Sequence, residues 1–97
     1  MAAYFFFDVR EEFDGSKMKE YRDRVGPTVE KFGGRYLAIG GPFDVMEGHW
    51  RPVFPVIIEF PTQEAARRWY DSEDYKELKA LRLAGSKSDV VLVAGLR

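Results

Sequence analysis

The sequence contains no cysteine and only one histidine, His49. Without cysteine there is no disulfide framework, no thiolate metal site and no redox-active thiol, which suits the cytosol. Because zinc and non-haem iron sites usually draw on several histidine or cysteine ligands, such sites are also disfavoured. The sequence also lacks a cluster of Asp and Glu residues that would indicate a magnesium site. We therefore expect a cytoplasmic protein that uses neither a metal nor another cofactor.

Two further features are missing, an excess of one charge and a long apolar run. Fifteen Lys and Arg stand against sixteen Asp and Glu, a net charge of −1, and the two signs are interspersed. A nucleic-acid-binding protein normally carries a basic stripe, so this class is disfavoured. The aromatic run 4–7 ends at Asp8 and is too short for a signal peptide or a membrane helix. The sequence therefore predicts neither a nucleic-acid partner nor a membrane partner.

The chain does have enough apolar residues for one core. Residues 1–97 fit a single domain. Hydrophobic residues make up 45% of the chain and charged residues 32%, a composition that argues against disorder. Aromatic residues reach 15%, which predicts a large core or a buried interface.

Apolar periodicity and the breaking residues predict the element order βαββαβ, the ferredoxin-like pattern. Strands are predicted at 3–9, 35–39, 56–60 and 89–96, with 43–46 as an extension of the second. A first helix carries the apolar stripe Met18, Tyr21, Val25, Val29 and Phe32. Two shorter helical pieces follow, beginning after Thr62 and Ser72. Pro27 is expected to kink or split the first helix near Gly26, and Gly33-Gly34 to end it.

The strands are apolar on both faces, which bears on assembly. A sheet with helices on one face should alternate apolar and polar residues. Residues 4–7 and 90–93 do not alternate, and 56–60 is broken only by Glu59. Because the two helical regions can cover only one face, we expect a second copy of the chain to cover the other. The sequence predicts a homodimer joined through its sheets, with Phe5 or Phe7 and the last strand in contact.

Several short patterns together resemble the domain-of-unknown-function family 1330. They are Tyr21 with Pro27, the run 32–37 with Gly40-Gly41, the Glu-Gly-His-Trp run 47–50, and residues 56–61, 65–72, 75 and 81–82. The resemblance spans nearly the whole chain and implies an α+β ferredoxin-like protomer, with one antiparallel sheet, that pairs as a dimeric α+β barrel. It implies no activity. Relatives by fold include small cofactor-independent monooxygenases, haem-degrading enzymes and lactone-type isomerases, and such an analogy carries little weight for chemistry.

His49 is one of three candidate catalytic residues, with Tyr75 and Arg82. A lone histidine titrates near neutral pH and can act as a general base, or hold a haem iron. However, it lies between Gly48 and Trp50 in a predicted turn, and we favour the interpretation that it is a polar residue at a hairpin tip.

A second set of residues has polar groups on otherwise apolar helix faces. Tyr75 and Arg82 share a helical face, and a tyrosine hydroxyl beside a guanidinium can bind a carboxylate or an enolate. The alternative is that these are core side chains whose polar tips are satisfied internally, with Arg82 paired to a carboxylate such as Glu47. The predicted ligand-binding residues are Tyr21, Glu47, Trp69, Tyr75 and Arg82.

Two hypotheses for function follow. The first is a dimer that binds a small organic ligand, anionic if Arg82 contacts it, in a cleft between helices and sheet. Such a protein would act, if it is an enzyme, by proton transfer or oxygen chemistry without a cofactor. The alternative is a non-catalytic structural or regulatory homodimer. The two differ in whether the cleft is open or filled by side chains.

Overall fold

A four-stranded antiparallel sheet with three helices on one face forms the chain, and the computed structural model describes all residues 1–97. The elements in chain order are β1 (Ala3–Glu12), α1 (Gly15–Lys31), β2 (Arg35–Ile39), β3 (Pro55–Phe60), α2 (Gln63–Tyr70), α3 (Glu73–Gly85) and β4 (Ser86–Ala94). The strands lie in the order β2-β3-β1-β4, and all neighbours are antiparallel. The fold is ferredoxin-like, as the sequence predicted. None of the helices is long and apolar enough to cross a membrane.

The second and third helices begin at the residues that the sequence indicated, and each of the three helices has a polar cap. Asp14, Thr62 and Ser72 are the N-caps of α1, α2 and α3, and each side chain accepts hydrogen bonds from backbone N–H groups in the first turn. The expected split at Pro27 does not occur, and α1 continues through Pro27 to Lys31. Val25 and Val29 are buried on either side of the proline, so packing holds both halves in one helix despite the missing N–H.

The strands differ from the prediction at several ends; β4, for example, ends at Ala94 and not at Leu96, and β3 begins one residue earlier, at Pro55. β1 continues to Glu12 and β4 begins at Ser86, since the two strands pair beyond the apolar run and pass a register shift between Val9 and Glu11. Ladder hydrogen bonds satisfy the backbone there whatever the side chains are. The expected strand at 43–46 is wrong, because residues 40–54 form a loop without strand pairing.

The core is an aromatic cluster between the sheet and the helices. Phe5 and Phe7 are both buried, and the ring of Phe5 lies 5.4 Å from that of Trp69. Trp69 in turn packs against Tyr75 with ring centroids 4.1 Å apart. Because Phe5 and Phe7 face the helices, the expectation that one of them lies in a dimer contact is wrong. Side chains alternate along a strand, so Tyr4 and Phe6 occupy the opposite face of β1.

The outer sheet face, which no helix covers, is apolar at its centre. The centre comprises Tyr4, Phe6, Ile57, Val91 and Val93, which the strand registers place side by side on β3, β1 and β4. The ion pair of Glu59 with Arg35 lies on the same face, beside Tyr4. Phe6 is 37% exposed and Val91 is 54% exposed, although both side chains are fully apolar. Monomeric proteins seldom leave a continuous apolar patch of this kind in water.

Gly33 holds the left-handed conformation that ends α1, with a φ of 81°. A Cβ at this position would also meet Pro61 Cγ at 3.2 Å. We expect Gly33→Ala to lower the free energy of unfolding by about 1 kcal/mol or more in urea denaturation. Gly41→Ala is the control, since a Cβ there meets no atom within 4 Å; it should change stability by less than about 0.5 kcal/mol. Equal stabilities of the two variants would contradict this account of the helix end.

Candidate functional site

A cavity of about 640 Å³ lies between α1 and the sheet, within the size range of sites for small organic ligands. Helix α1 packs mainly against α3, which leaves space between α1 and the β2–β3 side of the sheet. Eleven of the seventeen lining residues are hydrophobic if Tyr21 and Tyr36 are included. The apolar lining includes Phe7, Val9, Met18, Val25, Ile39, Val53, Phe54, Val56 and Ile58. The polar lining is Arg10, Glu11, Glu12, Tyr21, Arg22, Tyr36 and Arg82, with Gly26 on the helix side. The cleft is therefore open and mostly apolar.

Arg82 is a buried cation with only neutral partners. The residue is 2% exposed, and its guanidinium carbon lies 5.2 Å from the centre of the Phe7 ring. Nε donates to the Tyr75 hydroxyl at 3.3 Å, and Nη2 donates to the Tyr70 hydroxyl at 3.5 Å. None of the nine ion pairs of the protein includes Arg82. A buried charge without an opposite charge is costly, and here only tyrosine hydroxyls and the Phe7 ring offset that cost.

The remaining nitrogen of Arg82, Nη1, is available to the cavity. It makes no hydrogen bond within the protein. Every side-chain nitrogen or oxygen that is fully buried has a partner, so Nη1 keeps access to open space. Burial lowers the pKa of Arg82, but Tyr75 and the other tyrosines raise it, and the net pKa lies above the ordinary value. The guanidinium therefore stays protonated and presents a charged donor to the cavity that it lines.

Tyr75 connects Arg82 to Tyr21 in a short hydrogen-bonded chain. The hydroxyls of Tyr21 and Tyr75 are 2.8 Å apart. Tyr75 is fully buried and accepts from Arg82, which cannot accept a proton in return. Its own hydroxyl proton is satisfied only by donation to Tyr21, because an unpaired buried donor costs stability. This direction leaves the Tyr21 proton free to be donated into the cavity.

The tyrosines at the cavity are neutral near pH 7. Burial, reinforced by Tyr75, raises the pKa of Tyr21 well above its ordinary value. Burial also raises the pKa of Tyr75, although Arg82 opposes the shift. Burial, with a smaller contribution from Tyr75, raises the pKa of Tyr36 to about 12. These hydroxyls can therefore donate hydrogen bonds to an anion but cannot serve as bases near neutral pH.

Asp8 fixes the cavity wall beside β3, a role that the sequence did not suggest. Its carboxylate accepts from the backbone N–H of Phe54 at 2.7 Å and of Val53 at 2.9 Å, and pairs with Arg10 at 2.8 Å. Arg10 also donates to the carbonyl of Arg51 at 2.7 Å. Burial raises the pKa of Asp8, but these hydrogen bonds outweigh it and hold the pKa below its usual range. A single acid at the end of the aromatic run was the only signal available.

The other predicted site residues do not line the cavity. Glu47 and His49 are exposed in the loop 40–54. The expected pairing of Glu47 with Arg82 is wrong, since tyrosine hydroxyls occupy the places where a carboxylate was expected. Trp69 belongs to the core, and its indole N–H donates to Thr28 Oγ1 at 3.0 Å. Tyr75 is within hydrogen-bonding reach of the cavity only through Tyr21.

The structure thus brings together Tyr21, Tyr75 and Arg82 from α1 and α3, as their positions on apolar helix faces indicated. It adds Gly26, Tyr36 and the apolar wall formed by β3 and the residues before it. No three His, Asp or Glu side chains converge in a way that would hold a metal ion.

Solved structures with the same fold come from several bacteria. A protein of unknown function from Rhodopseudomonas palustris is 18% identical, with a TM-score of 0.78, 99% of this chain covered and 83% of that chain. A dimeric ferredoxin-like protein of unknown function from Jannaschia sp. CCS1 is 13% identical, with a TM-score of 0.73 and coverage of 98% and 100%. The cofactor-independent oxygenase SnoaB from Streptomyces nogalater is 13% identical, with a TM-score of 0.59 and coverage of 99% and 92%. At these identities the likeness shows the fold alone.

Sequence comparison gives the family directly. None of the curated proteins matches the chain. The model of the family described as "Domain of unknown function (DUF1330)" matches residues 2–96. The match covers almost the whole chain, including the strands, the helices and the cavity between them. The chain therefore belongs to the DUF1330 family of ferredoxin-like proteins.

Proposed function

We propose that this protein binds a small organic molecule with an apolar body and one anionic oxygen group, which pairs with the guanidinium of Arg82. The observation that carries the proposal is the buried cation without a carboxylate partner at the wall of an apolar cavity. A guanidinium in this position still has one charged nitrogen with which to donate a hydrogen bond to a ligand. An anionic ligand supplies the missing partner and recovers the free energy that burial costs.

The rest of the lining supports an apolar body for the ligand. Most of the wall is formed by aromatic and aliphatic side chains, among them Val25, Val56 and Ile58, although charged residues of β1 and α1 also line it. Apolar sites with a few convergent polar groups are typical of small-molecule binding, since burial gives affinity and the polar groups fix orientation. Tyr21 adds a neutral donor next to the charged one.

The pair of donors also suits a reaction in which negative charge develops on a ligand oxygen. A preorganised guanidinium and hydroxyl in an apolar site stabilise an enolate or phenolate more strongly than water does. Such an anion can exchange protons or react with oxygen without a cofactor bound to the protein. SnoaB, which has the same fold, is described as a cofactor-independent oxygenase, and this agreement supports the proposal at the level of fold.

A second copy of the chain covers the outer sheet face in this proposal, giving the dimeric α+β barrel. The half-exposed apolar residues Phe6, Val91 and Val93 support it, because pairing removes them from water. The Jannaschia protein with this fold is described as dimeric. A structural or regulatory homodimer without a ligand is the second candidate function, and the outer sheet face alone favours it.

Naphthoate and naphthamide test the proposal, since they share a flat apolar body and differ in charge. We expect titration calorimetry of the protein to show naphthoate binding at least about tenfold more tightly than naphthamide, because a charge-assisted hydrogen bond exceeds a neutral one by a kcal/mol or more. Benzoate serves as a smaller anion of the same kind. Equal affinities for naphthoate and naphthamide, or no binding of either anion, would count against an anion site and favour the ligand-free homodimer.

A further inference from the structure

Gly26 has no packing reason to be glycine. It lies in the middle of α1, where glycine is unfavourable, and its φ is not positive. A Cβ built at Gly26 would meet no atom within 4 Å. By contrast, Gly33 has a positive φ, and a Cβ at Gly34 would lie 2.7 Å from atoms of Phe60 and Val29. Gly26 is also one of the residues that line the cavity, so the open space beside it borders the cavity.

Pro27 offers a competing explanation. The ring of a proline crowds the Cβ of the residue before it when that residue is helical, so glycine relieves the clash. Yet Pro27 is itself exposed and unfavourable inside a helix, and it has no N–H to give to the carbonyl of Asp23. Two adjacent residues that weaken α1 therefore occur where the helix borders the cavity. Such concentrated weakness is typical of a site shaped for function rather than stability.

We propose that Gly26 is a specificity-determining residue, and that the apolar body of the ligand packs against the bare backbone of α1 at this position. The inference rests on the proposed function, because it assigns the position of a ligand whose anionic group pairs with Arg82. Tyr21, five residues earlier on the same helix, donates to the anionic end, while Gly26 leaves room for the body. A side chain at residue 26 would occupy that room. The site is thus built for ligands wider than an aliphatic chain, such as those with a fused or substituted ring.

The test introduces side chains at residue 26 in two backgrounds, the chain with Pro27 and the Pro27→Ala variant. The Pro27→Ala change removes the clash with the proline ring. In that background Gly26→Ala should raise the melting temperature by a few degrees, because alanine favours the helix. Gly26→Leu should weaken naphthoate binding at least about tenfold in both backgrounds, since an added side chain in a filled site is poorly tolerated. Benzoate, which is smaller, should lose less affinity than naphthoate.

Glu30→Leu in the same backgrounds is the matched control, since it adds the same side chain at an exposed position of α1. It should leave naphthoate affinity unchanged. Unchanged affinity in a folded Gly26→Leu protein would overturn the inference, as would a loss seen only beside Pro27. If Gly26→Leu fails to fold, the Gly26→Ala variant is used instead. We expect it to weaken the affinity for naphthoate more than the affinity for benzoate, and equal effects on the two would overturn the inference. Failure of the wild-type protein to bind naphthoate, or equal binding by Arg82→Met, would instead refute the proposed function.

Discussion

Arg82→Met is expected to weaken naphthoate binding about a hundredfold while the protein remains folded. A charged hydrogen bond in a buried site contributes roughly 2–5 kcal/mol, and about 1.4 kcal/mol corresponds to a factor of ten. Met keeps most of the alkyl packing and removes the charge. Because Arg82 has no carboxylate partner, its replacement leaves no buried anion behind. Stability should therefore be equal or higher, measured by urea denaturation.

Arg22→Met is the control for this prediction. Arg22 also lines the cavity, but it is exposed and pairs with Glu12 at 2.8 Å. Removing this exposed pair should change naphthoate affinity by less than about threefold, since such pairs are worth little. If the two variants bind naphthoate equally well, general attraction of anions by the cavity explains the binding and the role of Arg82 is refuted.

Phe6→Asp is expected to convert a dimer into a monomer. Phe6 lies at the centre of the outer sheet face, between Ile57 and Val91 on the neighbouring strands. An unpaired carboxylate buried between two sheets would cost several kcal/mol per protomer, enough to shift the dissociation constant by a thousandfold or more. Analytical ultracentrifugation at micromolar concentration measures the outcome. The Phe6→Asp monomer should remain folded, because Phe6 does not face the core.

Leu83→Asp provides the comparison. Leu83 is an exposed apolar residue on α3, away from the outer sheet face, and its change to Asp adds the same charge. This variant should remain dimeric. A wild-type protein that sediments as a monomer, or a Phe6→Asp variant that stays dimeric, would show that the outer sheet face does not join two copies.

The fold was predictable because its signals are local. Caps such as Thr62 and Ser72, and the break at Gly33, mark the elements directly in the sequence. Which face of β1 meets the helices was not predictable, since residues on both faces are apolar and only tertiary packing distinguishes Phe5 from Phe6. Strand ends also depended on pairing rather than on composition.

The candidate site was predictable where it lies on helices. The spacing of Tyr75 and Arg82 places both on one face, and the apolar stripe of α1 carries Tyr21. The sequence did not indicate that Arg82 would lack a carboxylate, because partners from a distant loop such as Glu47 cannot be read from periodicity. The wall formed by Phe54 depends on Asp8, forty-six residues away, through hydrogen bonds that only the folded chain brings together.

Hydrogen bonds hold both ends of the loop 40–54 in place, and the middle of the loop does not line the cavity. The N–H of Gly40 donates to the carbonyl of Pro55 at 2.7 Å, and Asp8 holds the N–H groups of Val53 and Phe54. Lengthening a loop whose ends are fixed adds little to the conformational entropy that is lost on folding. Residues can therefore be added between Gly41 and Gly48 at little cost while the wall beside the loop keeps its shape. An engineered insertion there should leave the pocket intact.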